Sequence, residues 1–169
     1  MNLPEPQSVT FSSLFAEIEN GTIKIPQFQR DFVWSKAKSA KLLDSIVKGF
    51  PIGTFILWKT DERLRSIRNL GGVSLPETQK GDAVKYVLDG QQRLTSLFVT
   101  LKGLTIIREE QKEDFSQFWV DLAVDEHEEI ILMEAAGHDE KQIIQPPPPR
   151  WRHQRPGRWP APVRTAKGC

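Results

Sequence analysis

The stretch YVLDGQQRLTSL, residues 86–97, decides the fold. Its first part, with Val84 and Lys85 before it, is strand-like through Leu88; its last part opens a helix whose apolar residues Leu94, Leu97, Phe98, Leu101 and Leu104 follow helical spacing. Between them DGQQR, Asp89 to Arg93, places a carboxylate, a glycine, two amides and a guanidinium on one strand-to-helix turn. Backbone N–H groups and the positive end of a helix favour an anion at such a turn. Local capping explains part of the motif, since Asp89 and Gln92 have capping-box spacing and Gly90 suits a turn. It explains neither Gln91 nor Arg93, because the macrodipole disfavours a cation in a helix's first turn. A bound anion beside Arg93 would relieve that conflict.

Upstream, IPQFQRDFVW (residues 25–34) repeats the combination of amide, guanidinium and carboxylate in Gln29, Arg30 and Asp31. It alternates polar and aromatic positions without a helical period and is expected to be a loop, with Phe28, Phe32 and Trp34 as backbone anchors. Two such clusters in one small domain point to a polyanion or nucleotide site; a surface loop with a local ion pair would be the plainer account of this one.

Around these motifs the pattern predicts a helix over Phe11–Glu19, an extended piece over Ile23–Ile25 held straight before Pro26, and a helix over Lys36–Lys48. Ser35 is the N-cap of the last, and Ala40, Leu43 and Val47 mark its apolar stripe. Strands are expected over Ile52–Trp58 and Val84–Leu88, and the helix after DGQQR over Leu94–Leu104. Thr60–Asp82 is expected to be a long surface loop with a short strand near Leu64–Ile67. Gln117–Val124 and Ile130–Met133 are expected to pair as a hairpin across the acidic turn Asp125–Glu129. No internal repeat appears.

At 169 residues the chain has room for one core. Its net charge of +1 hides a split: residues 145–169 hold six Lys or Arg and no carboxylate, leaving −5 on the first 144. That final segment, rich in Pro, Arg and Trp, is expected to be a disordered tail with polyproline II character, such as an altered reading frame would append. Basic residues interleaved with Trp151 and Trp159 also have the composition of a single-strand nucleic-acid binder. The single cysteine, Cys169, excludes a disulfide framework and thiol chemistry in the domain. No apolar run is long enough for a membrane span and no basic-then-apolar leader opens the chain, so a soluble, cytoplasmic protein is expected. The Asn20-Gly21-Thr22 sequon is then a chance match.

His127, His138 and His153 have no metal-site spacing, and the cluster Asp121, Asp125, Glu126, His127, Glu128 and Glu129 fits a solvated turn better than a cation site. There is no GxxxxGK[ST] loop and no GxGxxG, so a nucleotide site here is of another kind.

IPQFQRDFVW, a helix, PIGTFILWK (residues 51–59) and YVLDGQQRLTSL, in that order, resemble the N-terminal domain of GmrSD-type restriction proteins, a ParB/sulfiredoxin-like family with a DGQQR hallmark. The resemblance covers about Phe11 to Leu104 and extends toward Met133. It implies an α+β fold over residues 1–144, a ParB/sulfiredoxin-like small mixed sheet flanked by helices, followed by the Pro/Arg-rich tail 145–169. It further implies an NTP-binding, NTP-hydrolysing domain in prokaryotic defence against phage or modified foreign DNA, with an HNH-type nuclease domain or subunit outside this chain. Carried over by position, Gln29, Arg30, Gly90 and Arg93 are the candidates for nucleotide and phosphate binding. Asp89, Gln91 and Gln92 are those for catalysis, with Asp89 also a possible Mg²⁺ ligand and NTP with Mg²⁺ the expected cofactor. Where sulfiredoxin has a reactive cysteine in a similar turn, this chain has Gln91 and Gln92. The alternative is a non-catalytic DNA- or partner-binding module that sets the same arginines on phosphates.

Overall fold

In the computed structural model, residues 5–67, 69–70, 73–108, 111–125, 127–134 and 143–144 are described. The chain runs α1 (Phe11–Glu19), β1 (Ile23–Lys24), α2 (Lys36–Val47), β2 (Ile56–Thr60), β3 (Asn69–Leu70), β4 (Val73–Ser74), β5 (Val84–Asp89), α3 (Gln91–Lys102), β6 (Thr105–Arg108), β7 (Gln111–Asp114), β8 (Trp119–Asp121), β9 (Ile131–Leu132) and β10 (Ile143–Ile144). The architecture is α+β, as expected, and built around a mixed sheet. Strand β5 is central, with β1 parallel on one side and β2 antiparallel on the other.

The core follows from the apolar patterns. Val84, Tyr86 and Val87 of β5 are fully buried, as are Leu94, Leu97, Phe98 and Val99 of α3. Helix α1 adds Leu14, Phe15 and Ile18, and its Phe15 ring meets Phe98 edge-on at 5.7 Å. Each fully buried aliphatic side chain contributes about 1.5–3 kcal/mol. Helices α2 and α3 are joined by a buried polar contact, Ser39 Oγ to Ser96 Oγ at 2.7 Å.

Helix α2 begins where expected, with the Ser35 hydroxyl accepting from the Lys38 N–H. Its buried face differs from the expected stripe. Val47 is 58% exposed, while Ser39, Ala40, Leu42 and Asp44 face inward. Asp44 is accommodated by an ion pair to Lys48 at 2.7 Å and by the Ile130 N–H at 2.7 Å. Burial alone would push its carboxyl up. Hydrogen bonds from Lys48 and Ile130, with the Lys48 charge, hold it below its ordinary value instead.

Several other boundaries move. Strand β2 starts at Ile56 rather than Ile52, because the carbonyls of Ile52 and Thr54 are taken by Arg93 instead of a neighbouring strand. Helix α3 starts at Gln91 rather than Leu94, so QQR is its first turn. The strand expected near Leu64–Ile67 is a single bridge, Ser66 to Pro26, and the 60–82 segment also holds the β3–β4 hairpin. The β8–β9 hairpin forms as expected, and β10 joins it on the other edge of β8. The β6–β7 hairpin was not anticipated; its arms, TIIR and QKED, lack the alternation that marks a half-buried strand. The expected tail, residues 145–169, lies outside the described residues, as do His138 and His153.

Candidate functional site

Strand β5 ends and α3 begins without a spacer, and Gly90 makes the corner. Its φ of +84° is left-handed, and a Cβ there would come within 2.6 Å of the Phe55 ring. Gly90 is itself the N-cap residue and no side chain caps α3, so the capping box expected of Asp89 and Gln92 does not form. Both side chains are employed elsewhere. The uncapped first turn leaves N–H groups at the positive end of a 12-residue helix.

The glutamines join the two motifs. Gln91 donates to the Arg30 carbonyl at 2.9 Å. Gln92 donates to the Asp31 carbonyl at 2.9 Å and accepts from the Val33 N–H at 2.9 Å. In return, Gln29 reaches from the loop to the Val87 carbonyl at 2.6 Å and the Leu88 carbonyl at 3.2 Å. Gln91 and Gln92 are buried, so these bonds replace water that the amides could not otherwise find. The IPQFQRDFVW loop is thereby fixed by the DGQQR turn, 58 to 61 residues away in the chain.

Arg93 turns toward the protein. Its guanidinium donates to the carbonyls of Ile52 and Thr54, the latter at 3.0 Å, and pairs with Asp89 at 3.2 Å. It also lies over the Phe55 ring, 5.5 Å from the centroid. Gly53, at φ +82°, makes room for it: a Cβ there would fall 2.1 Å from Arg93 Nη1. The cation in the first turn is thus offset by two carbonyls and a carboxylate, a set of partners that the sequence did not reveal.

All seven candidate residues line one open cleft of about 560 Å³: Gln29, Arg30, Asp89, Gly90, Gln91, Gln92 and Arg93. The remaining wall is Phe28, Trp34, Lys38 and Leu88. Of the three cations, Arg93 is held as described, and Lys38 sits over the Trp34 ring, 4.5 Å from its centroid. Arg30 is exposed, and its guanidinium has no partner among the described residues. Lys38 was not singled out from the sequence. Its signal was the same as that of Arg93: α2 carries Lys36 and Lys38 in its first turn and no acid there. Phe28 differs from expectation, since it anchors nothing and is 71% exposed; Phe32, at 9%, is the buried anchor.

Asp89 is an exposed carboxylate beside Arg93. Among the described residues, those of the acidic 121–129 turn included, no three His, Cys, Asp or Glu side chains gather as a metal site. The donors therefore do not form a metal cage of their own. A lone carboxylate does suit Mg²⁺ that arrives on phosphates, because that ion commonly takes one or two carboxylates and completes its shell with phosphate oxygens and water. Among the described residues, no helix is long and apolar enough to cross a membrane.

The family model of the GmrSD restriction endonuclease N-terminal domain matches residues 11–156. The chain belongs to this family. The match takes in both motifs and every residue of the cleft wall. An uncharacterized protein of Methanocaldococcus jannaschii is 35% identical over 85 residues, 48% of this chain and 15% of that protein. The chain thus matches a small part of that relative's length.

Proposed function

We propose that this GmrSD-family domain binds a nucleoside triphosphate in the cleft between the two motifs and hydrolyses it. In this reading the domain serves a restriction system acting on foreign or modified DNA, whose cutting is done by an HNH-type nuclease domain or subunit. One observation carries the binding: an unpartnered arginine, Arg30, lines the same cleft as Lys38 and an uncapped helix start. Three sources of positive potential converge in a cleft whose lining holds one carboxylate, Asp89.

Arg30 contacts the phosphates through charge-assisted, forked hydrogen bonds. Lys38 adds a point charge, and Gly90 lets the α3 N–H groups approach the ligand. Arg93 lends its charge from the wall while it holds the Ile52–Thr54 carbonyls. Gln92 is bonded at both ends of its amide and keeps the loop in place. Gln91 has the spare acceptor, since among the described residues its Oε1 meets only the Gln92 amide at 3.4 Å, and it orients the attacking water. Asp89 takes the proton from that water or contributes an oxygen to Mg²⁺. Bound there, the ion would neutralise charge on the phosphates.

Calorimetric titration of the purified chain with Mg²⁺ and each NTP tests this reading. Binding of one or more NTPs, weakened at least tenfold in Arg30→Ala with an unchanged melting curve, is the expected result. Absence of binding by every NTP to a folded chain would refute it. Steeply salt-dependent binding of DNA without nucleotide would favour the non-catalytic alternative instead.

A further inference from the structure

We propose that Phe28, with Leu88 beside it on the cleft wall, is a stacking shelf for the nucleobase, so that the cleft takes its ligand by ring as well as by phosphate. This rests on the nucleotide reading above and assigns the other end of the ligand. Phe28 is 71% exposed and Leu88 46% exposed, yet both line the cleft that holds Arg30 and Lys38. Leaving a phenylalanine in water forfeits the free energy that its burial would bring.

The backbone does not let the ring escape. Before it, the Gln27 N–H donates to the Arg65 carbonyl at 2.9 Å; after it, the Gln29 N–H closes a turn on Pro26 at 3.3 Å and the Gln29 side chain is tied to β5. Leu88 is turned out by a β-bulge: Leu57 faces Val87 and Ile56 faces Asp89, leaving Leu88 as the extra residue. Of the cleft's two aromatic rings, Trp34 already carries Lys38, whereas Phe28 meets no ring or cation among the described residues. An exposed ring on a tied backbone, in a cleft of about 560 Å³ that also carries Arg30, Lys38 and Arg93, matches a planar, anionic ligand of nucleotide size. A purely apolar partner would leave Arg30 and Lys38 unanswered; bare polyphosphate would leave Phe28 and Leu88 so.

The test compares NTPs with inorganic tripolyphosphate, both with Mg²⁺, on wild type, Phe28→Ala, Phe28→Trp and Arg30→Ala. Base stacking on an aromatic side chain should make NTPs bind about tenfold or more tighter than tripolyphosphate. Phe28→Ala should bring NTPs down to the tripolyphosphate level without changing tripolyphosphate itself. Phe28→Trp should keep the gap, and Arg30→Ala should weaken both ligands. Equal affinities in wild type, or a gap that survives Phe28→Ala, would overturn the shelf while Arg30-dependent binding left the cleft reading intact. If neither ligand bound, both would fall.

Discussion

Arg93→Ala should cost the domain much of its stability, because the side chain faces the protein. The substitution deletes bonds to the Ile52 and Thr54 carbonyls, the ion pair to Asp89 and the contact with Phe55. Hydrogen bonds to charged groups contribute about 1.5–3 kcal/mol each. The Thr54 bond is solvent-exposed and falls at or below that range. The Asp89 carboxylate is 63% exposed against 21% for Arg93, so that pair adds under about 1 kcal/mol. The sum is about 3 kcal/mol, a large fraction of the roughly 5–15 kcal/mol a domain has. In urea unfolding with a slope of about 1–3 kcal/mol/M, the midpoint should fall by about 1–3 M. Arg93→Lys should recover little, since an ammonium cannot reach both carbonyls and the carboxylate as a fork does. Gly53→Ala should act on the same contact and be non-additive with Arg93→Ala, as the added Cβ would occupy the guanidinium's place. A loss below about 1 kcal/mol in Arg93→Ala, or an equal loss in Arg30→Ala, would refute this role of the Arg93 contacts. A ligand-binding defect in Arg93→Ala would for the same reason be ambiguous, which is why Arg30 carries the binding test.

Gln92→Ala should destabilise by about 2–3 kcal/mol, because the Val33 N–H and Asp31 carbonyl lose their partner together; denaturant unfolding would show it, and no change would mean that the loop is held by other contacts. Asp44 has its folded pKa lowered, so its contribution is present at neutral pH and is lost as pH falls below about 3.8 through the folded value. Asp44→Asn should therefore be less stable than wild type at pH 7 and should converge toward it in the acid limb; parallel stability curves from pH 7 to pH 2 would contradict this. Asp89→Asn should abolish NTP hydrolysis while changing stability by less than about 1 kcal/mol, since only an exposed ion pair is lost. Full hydrolysis in that variant would leave Asp89 without a catalytic part.

What local chemistry controls was legible in the chain itself. Helix α1 matches its apolar spacing residue for residue, Ser35 caps α2, and the buried heart of β5 is the apolar run before DGQQR. The two polar motifs could be picked out because their residue types exceed what turns and caps require, and both prove to line one cleft. The tertiary structure alone decided what each of those polar groups does. Asp89 and Gln92 have capping-box spacing, yet Gly90 takes the corner and the side chains go elsewhere. Arg93 could as well have faced a ligand, until the carbonyls freed by the late start of β2 and the space at Gly53 drew it to the protein. Phe28 and Phe32 are alike in sequence, but the turn on Pro26 and the ties of Gln29 expose one and bury the other. Backbone propensity and apolar periodicity act over a few residues, so a sequence displays them. A polar side chain goes to whichever donor or acceptor folding brings within about 3 Å, and here those partners lie about 40 to 60 residues away.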